Sequence, residues 1–259
     1  MNNSLALFIN GDLGKQILIE LEDIELLHTK LIVINNQEKR KKSYYEEILK
    51  IVGSRIKVIE WNNEDNSALV SYLETNSIHY AISALFGHLI GSDIIKLIKK
   101  DFINLHPSLL PFGKGADPIP WAIITNAKQG VTIHQLTPEL DSGNKYLQLE
   151  IPTDIAMNSG DIYTLACELL KKSVIDFIPN WVSGNFTPAD QPESTEQPRK
   201  SKDLKRLKKA FSTETGTFDE FIRRIQATHF NNGETLIFED ARGDKWKVCL
   251  QIKPLGEDQ

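Results

Sequence analysis

Cysteine is scarce in this chain of 259 residues, and long hydrophobic runs are missing from it. The two cysteines, Cys167 and Cys249, lie far apart without the short spacing of metal-ligand pairs, which excludes a zinc ribbon and a disulfide-built scaffold. No apolar run approaches the roughly 20 residues that cross a membrane. The first residues, Met1–Ile9, have neither the basic segment nor the cleavage pattern of a signal peptide. We therefore expect a protein of the reducing cytoplasm with no membrane partner.

An excess of positive charge is also missing. The 30 Lys and Arg residues are outnumbered by 35 Asp and Glu residues, which gives a formal net charge of −5. A protein that coats nucleic acid would be clearly basic, so we expect no nucleic-acid partner. The hydrophobic fraction of 41% is typical of a globular chain with a sizeable core.

The first half of the chain alternates short apolar runs with helical windows. This alternation predicts βαβ units, and runs that are almost continuous in Ile, Leu and Val predict strands covered on both faces. We therefore predict an α/β fold with a Rossmann-like, mostly parallel sheet flanked by helices. The predicted strands are Leu5–Ile9, Leu31–Ile34, Ile56–Trp61, Tyr80–Leu85, Phe102–Leu105, Val131–Leu136 and Tyr146–Ile151, and the predicted helices are Leu13–Leu26, Ser43–Ile51, Ala68–Thr75, Ser92–Lys99 and Asp161–Phe177.

A change of composition after residue 185 predicts a domain boundary. Residues 185–198 are rich in Pro, Thr, Ser, Glu and Gln, as extended connectors are. We predict one domain over residues 1–185, then a connector and a small C-terminal subdomain over 186–259, with a helix at Thr217–Ala227 and a hairpin at Thr235–Ile252. The stretch Arg199–Lys209 holds seven basic residues and one acidic residue, which favours a solvated helix face and leaves a phosphate-binding surface as the alternative.

Asn104 and His106 end one of the predicted strands, before a loop at His106–Ala122 that is rich in Pro and Gly. Side chains at i and i+2 of a strand point the same way, and ligands of open α/β sheets lie beyond the carboxyl ends of strands. An amide and an imidazole that converge there can serve as an oxyanion donor and a proton acceptor. The plainer alternative is a turn-forming Asn beside a structural His.

Three further segments could contribute to such a site. Asp141 begins an Asp-Ser-Gly turn, and its carboxylate could orient the imidazole of His106, although an isolated Asp in a turn is usually only structural. His134, inside a predicted strand, is a minor candidate that we expect to be structural. The run Phe86–Ile90 contains a glycine that would let a flat ligand reach the backbone. The glycines near Gly11 do not complete a dinucleotide or P-loop fingerprint, so NAD and ATP chemistry are poorly supported.

Taken together, these segments resemble the folate-dependent formyltransferase family. The resemblance is carried by Phe86–Ile90, Phe102–Pro111, Gly130–His134 and Asp141–Gly143. It implies that residues 1–185 form the catalytic domain, that 10-formyltetrahydrofolate donates a formyl group to an amine, and that no metal takes part. The residues implied as catalytic are Asn104, His106 and Asp141, and those implied for folate binding are Phe86, Gly87, His88, Leu89, Ile90 and Asp141.

Within that family, the pattern from Gly115 to Ile123 resembles the nucleotide-sugar N-formyltransferases. This implies that the acceptor is an amino-dideoxy sugar on dTDP, UDP or GDP, made for O-antigen lipopolysaccharide or a related glycan, and that the protein could form a homodimer. The candidate acceptor-binding residues are Ser108, Lys114, Trp121, Arg199 and Lys200. The plainer interpretation is surface charge for Lys114, Arg199 and Lys200, and a place in the core for Trp121.

Two other functions stay open at this point. The same chemistry could act on an aminoacyl-tRNA or a carrier-bound amine, which salt-dependent tRNA binding would reveal. A non-catalytic nucleotide-sugar binding module is the other alternative, and the presence of Asn104, His106 and Asp141 together speaks against it.

Overall fold

The structure is a computed structural model, and it describes residues 3–21, 24, 26–35, 41–61, 65–194, 196–209, 217–230, 236–239, 242–248, 250 and 252. Strands and helices alternate through most of this length. The strands are β1 (Asn3–Ile9), β2 (Leu27–Asn35), β3 (Lys57–Trp61), β4 (Tyr80–Ala84), β5 (Asp101–His106), β6 (Gln129–Gln135), β7 (Lys145–Ile151), β8 (Leu236–Glu239) and β9 (Lys245–Val248). The helices are α1 (Gly11–Leu21), α2 (Lys41–Val52), α3 (Ser67–Thr75), α4 (Ser92–Ile95), α5 (Pro118–Ile124), α6 (Ser159–Val182), α7 (Ser201–Lys209) and α8 (Phe218–Thr228).

Seven strands form one sheet in the order β3-β2-β1-β4-β5-β6-β7. The pairs from β3 to β5 are parallel, and β6 runs antiparallel to β5. The predicted α/β fold with a mostly parallel sheet flanked by helices is therefore confirmed. The strand order reverses between β1 and β4, and ligands of such sheets lie beyond the carboxyl ends of the strands near this switch point.

The chain divides into two compact units, whose described residues fall within 1–106, 132–147 and 168–192 for the first and within 107–131, 148–167 and 193–259 for the second. The predicted division into domains 1–185 and 186–259 stays a prediction.

The core of the first unit is built on the central strands. Every residue of Leu5–Ile9 has no exposed surface, as expected for a strand covered on both faces. The Phe8 ring lies 5.5 Å from the Phe86 ring and 5.0 Å from the Phe102 ring. These contacts anchor the turn that follows β4 and the start of β5 to the centre of the sheet.

A second cluster of contacts fixes the amino end of β5. The Asp101 carboxylate accepts hydrogen bonds from the Tyr146 hydroxyl (2.6 Å) and from the Trp181 indole (2.8 Å). Burial, with help from the Asp101 carboxylate, raises the pKa of Tyr146 well above its ordinary value. The predicted end of α6 at Phe177 was wrong, because the helix continues through Pro179 to Val182. The ring of Trp181, in this added part of the helix, stacks on the Phe177 ring at 5.7 Å.

The second unit begins within the predicted ordered loop over residues 106–122, and that prediction was incomplete. Helix α5 begins at Pro118, whose fixed φ suits the first helical position. The Ser159 hydroxyl donates to the Ala227 carbonyl at 2.8 Å, which holds the start of α6 against α8. Strands β8 and β9 pair antiparallel, so the hairpin is confirmed in its described part. Thr235, Asp240, Ala241, Cys249 and Gln251 lie outside the described residues.

Two helices end several residues earlier than the sequence predicts. Helix α1 ends at Leu21 rather than Leu26, and α4 ends at Ile95 rather than Lys99. Among the described residues, no helix has the length and apolar character needed to cross a membrane.

Candidate active site

Strand β5 carries two of the predicted catalytic residues at its carboxyl end. The antiparallel register places Asn104 opposite His134 and His106 opposite Thr132 on β6. His106 is 5% exposed, and His134 is 1% exposed. Since alternate residues of a strand share a face, this register brings one amide and two imidazoles to the same side of the sheet.

One carboxylate oxygen of Asp141 joins these three side chains. Asp141 Oδ1 lies 3.4 Å from Asn104 Nδ2, 3.7 Å from His106 Nδ1 and 3.7 Å from His134 Nε2. The Asp141 side chain is itself almost completely buried. The structure thus brings together the three residues predicted to be catalytic, and it adds His134 to them.

The hydrogen bonds of His134 determine which of its ring nitrogens carries the proton. Nδ1 lies 2.8 Å from the backbone carbonyl of Gln135, and a carbonyl oxygen can only accept, so Nδ1 is the protonated nitrogen. In the neutral ring Nε2 is then an acceptor, and Asn104 Nδ2 lies 3.1 Å from it. The amide nitrogen of Asn104 therefore faces two acceptors, His134 and Asp141, and the 3.4 Å bond to Asp141 is the weaker of the two.

The turn that carries Asp141 is held by backbone contacts. Asp141 has a φ of 49°, in the left-handed region that Asp and Asn tolerate best among residues with a side chain. The Gln191 side chain donates to the carbonyls of Asp141 (3.1 Å) and Gly143 (2.5 Å). A Cβ at Gly143 would overlap the backbone carbonyl of Gln135. Sequence reasoning missed Gln191, which lies in the predicted connector without any motif to distinguish it.

The predicted folate-binding run begins with an unusual turn after β4. Leu85 has a φ of 51° and Gly87 a φ of 79°, so two left-handed residues flank Phe86. The Phe86 ring is buried, whereas Gly87 is exposed and the Leu89 side chain is 59% exposed. His88 is half-buried with its ring 5.8 Å from that of Phe86, and Ile90 is buried. The turn therefore presents backbone and one apolar side chain at its surface.

The second unit holds the five predicted acceptor-binding residues. The Arg199 guanidinium lies over the Trp121 ring at 4.5 Å, and Trp121 is 8% exposed. The Arg199 N–H donates to the Lys114 carbonyl at 3.0 Å, so the structure brings these three residues together. Lys200 is exposed, and the buried Ser108 hydroxyl donates to the Phe112 carbonyl at 2.8 Å. Their roles in binding stay predictions.

Metal ligands are a separate question. Within the part of the chain that the structure describes, no three His, Cys, Asp or Glu side chains are grouped as ligands for a metal ion.

Two curated proteins show how this chain is related to known enzymes. The dTDP-4-amino-4,6-dideoxyglucose formyltransferase of Mycobacterium tuberculosis is 29% identical over 152 residues, which cover 59% of this chain and 64% of that protein. The methionyl-tRNA formyltransferase of Mycoplasma capricolum is 31% identical over 169 residues, which cover 61% of this chain and 51% of that protein. The matched part of the chain thus spans less than two thirds of either relative.

Two solved structures have the same fold. A 4-N formyltransferase from Francisella tularensis superposes with a TM-score of 0.80 at 18% identity, over 98% of each chain. The sugar 3N-formyl transferase WlaRD, determined in the presence of dTDP and 5-N-formyl-THF, superposes with a TM-score of 0.71 at 19% identity, over 92% of this chain and 82% of that one. The family model for formyl transferase matches residues 4–176. Since this match covers well over half of the sequence and includes Asn104, His106, His134 and Asp141, the chain belongs to the formyl transferase family.

Proposed function

We propose that the protein transfers a formyl group from 10-formyltetrahydrofolate to the amine of a nucleotide-linked amino-dideoxy sugar. The observation that carries the proposal is the cluster of Asn104, His106 and His134 around one carboxylate oxygen of Asp141. An amide donor, an imidazole and a carboxylate are the groups that amine formylation needs, because charge grows on the formyl oxygen while the amine loses a proton.

The folate would bind at the turn that follows β4. Exposed backbone at Gly87 can hydrogen-bond the edge of a flat heterocycle, and the exposed Leu89 side chain can cover its apolar face. These features fit a pterin ring, and Phe86, His88 and Ile90 complete the proposed contact run. When bound, the folate supplies the formyl carbon on its N10 nitrogen.

His106 is the proposed proton acceptor of the reaction. The amine attacks the formyl carbon, its new C–N bond replaces the bond from that carbon to the folate nitrogen, and the proton that the amine loses passes to His106. Asp141 Oδ1, 3.7 Å from His106 Nδ1, stabilises the positive charge that the ring then holds. The proton finally leaves with the folate nitrogen, which restores neutral His106.

Asn104 is the proposed donor to the formyl oxygen. Its N–H toward His134 is held at 3.1 Å, whereas its N–H toward Asp141 spans 3.4 Å. The longer bond is the weaker one, so the N–H that makes it is the one that can be shared with the formyl oxygen. One oxyanion donor of this kind lowers a barrier by about 3 kcal/mol.

A nucleotide sugar is favoured as acceptor by two kinds of support. The relative from Mycobacterium tuberculosis is named for a dTDP-linked amino-dideoxy sugar. The structure also gathers Lys114, Trp121 and Arg199 in the second unit, and a guanidinium is suited to phosphate. We therefore propose Lys114, Arg199 and Lys200 for the diphosphate, and Ser108 and Trp121 for the sugar or base.

Three finer points belong to the same proposal. The product would serve O-antigen or related glycan synthesis, and the enzyme would work in the cytoplasm. A homodimer could form by strand pairing along the β8–β9 hairpin, which is a two-stranded sheet in the described part of the chain. Sedimentation at several protein concentrations would distinguish a dimer from a monomer.

The test of function is direct. The folded protein is incubated with 10-formyltetrahydrofolate and a panel of dTDP-, UDP- and GDP-linked 3-amino and 4-amino sugars. We expect tetrahydrofolate and one product heavier by a formyl group, measured by mass spectrometry. If no sugar in the panel gains a formyl group, the proposed acceptor class is wrong.

Aminoacyl-tRNA is the second candidate acceptor, because the methionyl-tRNA formyltransferase of Mycoplasma capricolum is 31% identical over its matched residues. The formal net charge of −5 argues against it. Binding of initiator tRNA that weakens steeply as salt increases would favour this acceptor over the sugar.

A further inference from the structure

The turn from Leu85 to Gly87 is held in a costly backbone conformation. Leu85, with a φ of 51°, occupies the left-handed region, which is unfavourable for a residue with a side chain because its Cβ crowds the next carbonyl. Such a conformation persists only when surrounding contacts over-determine it. The contacts that do so come from the carboxyl ends of two other strands.

Asn35, the last residue of β2, holds the backbone of the turn. Its side-chain N–H donates to the Phe86 carbonyl at 3.1 Å in a buried hydrogen bond, and Asn35 itself is 7% exposed. A Cβ at Gly87 would meet Asn35 Nδ2 at 3.4 Å, so this amide also packs under the glycine. The Asn35 side chain therefore contacts two consecutive residues of the turn, the buried Phe86 and the exposed Gly87.

Trp61, the last residue of β3, holds the side chain of the turn. Its ring stacks on the Phe86 ring with centroids 5.4 Å apart and planes 5° from parallel. Its indole N–H is buried and has no hydrogen-bond acceptor among the described residues. An unsatisfied buried donor is unfavourable, so hydrogen bonding does not explain a Trp at this position, whereas its large stacking surface does.

We propose that Asn35 and Trp61 are positioning residues that lock the Leu85–Gly87 turn in the one backbone conformation that receives the folate. The inference rests on the proposed function, since it assigns the pterin to this turn. Neither side chain needs to contact the folate. Each of the two side chains raises the fraction of molecules whose turn has the folate-binding conformation. The apparent affinity for folate falls in proportion when that fraction falls.

The test compares Asn35→Ala and Trp61→Leu with the unchanged protein, using calorimetric titration with 5-formyltetrahydrofolate as the probe. If a substitution leaves the turn in its binding conformation in only one molecule in ten, the dissociation constant for the probe rises about tenfold. In the formyl-transfer assay, KM for the folate rises by the same factor and kcat stays within about twofold, because a ready turn is restored at saturation.

Two control variants separate positioning from general stability. Tyr72→Phe removes another hydrogen bond from a side chain to β2, the 3.1 Å bond from the Tyr72 hydroxyl to the Lys30 carbonyl, and should leave folate affinity unchanged. Trp61→Phe removes the unsatisfied N–H but keeps an aromatic ring, and should bind folate more tightly than Trp61→Leu.

The outcomes are distinguishable. Equal folate affinity in the unchanged protein, Asn35→Ala and Trp61→Leu would overturn this inference and leave the proposed function standing. A matching loss of affinity in Tyr72→Phe would also overturn it, because any destabilisation would then suffice. If the unchanged protein fails to bind the probe, both the proposed function and this inference fall.

Discussion

Asn104 and His134 face each other across the antiparallel pair β5–β6, with Asn104 Nδ2 at 3.1 Å from His134 Nε2. The bond from His134 Nδ1 to the Gln135 carbonyl makes Nε2 the acceptor nitrogen of the neutral ring. The histidine thus determines which way the amide of Asn104 points. A residue that looks structural in the sequence becomes the group that orients a proposed oxyanion donor.

The first prediction concerns this orientation. His134→Leu removes the acceptor and should lower kcat by up to about 100-fold, as a misplaced catalytic group does, with little change in KM for the folate. His134→Gln keeps a side-chain oxygen that can accept from Asn104, and should recover part of the loss. Steady-state kinetics of both variants, and of each combined with Asn104→Ala, check this. Strictly additive losses in the double variants would show that His134 does not act through Asn104.

The second prediction concerns the proton acceptor. His106→Asn should lower kcat by about 10²- to 10⁴-fold, the usual contribution of general acid–base catalysis. Circular dichroism should show an unchanged fold. His28→Asn is the matched control, since His28 is an exposed histidine on β2 and its loss should leave kcat unchanged. A His106→Asn protein with normal kcat would remove the proposed proton transfer.

The third prediction separates charge from backbone at Asp141. Asp141→Asn keeps a residue that tolerates the φ of 49°, whereas Asp141→Ala pays about 1–2 kcal/mol for it. Both variants should lose most activity because the carboxylate is gone. Urea unfolding should show Asp141→Ala to be the less stable of the two, and equal stabilities would contradict a strained turn.

The fourth prediction concerns the amino end of β5. Trp181→Phe removes the 2.8 Å bond to the Asp101 carboxylate and should lower the free energy of unfolding by about 1.5–3 kcal/mol. Activity should persist, because Asp101 lies at the amino end of β5 and His106 lies at its carboxyl end. The exposed Trp246 gives the control, because Trp246→Phe should change stability by less than about 0.5 kcal/mol. Similar effects of the two substitutions would argue against a stabilising role for the Asp101 bond.

The fifth prediction concerns the start of α8. Thr217 accepts from the Glu220 N–H, and Glu220 accepts from the Thr217 N–H, so Thr217→Ala should cost about 1 kcal/mol. The bond to the Thr217 backbone lowers the pKa of Glu220. Because the pKa of Glu220 is lower in the folded state, the stabilisation by its carboxylate is present above the unfolded-state pKa. It is lost as the pH falls through the folded-state pKa. Unfolding followed at pH 7 and pH 3 should therefore show a smaller effect of Glu220→Gln at pH 3.

The sequence was sufficient for the fold because its apolar runs and helical windows alternate without ambiguity. It also predicted correctly that Asn104 and His106 lie together at one strand end, because alternate side chains of a strand point to the same face. It could not place His134, because its pairing depends on β6 running antiparallel to β5. Trp181 was missed since tertiary stacking carries α6 through a proline that normally ends a helix.

Gly143 limits which substitutions the protein can accept in the turn that carries Asp141. With the Gln135 carbonyl filling the space where a Cβ would stand, position 143 admits a single amino acid, whereas the half-buried Ser142 beside it is not so restricted. The contact with β6 thus requires a glycine two residues after the Asp141 carboxylate. Any redesign of acceptor preference has to keep this spacing between Asp141 and Gly143.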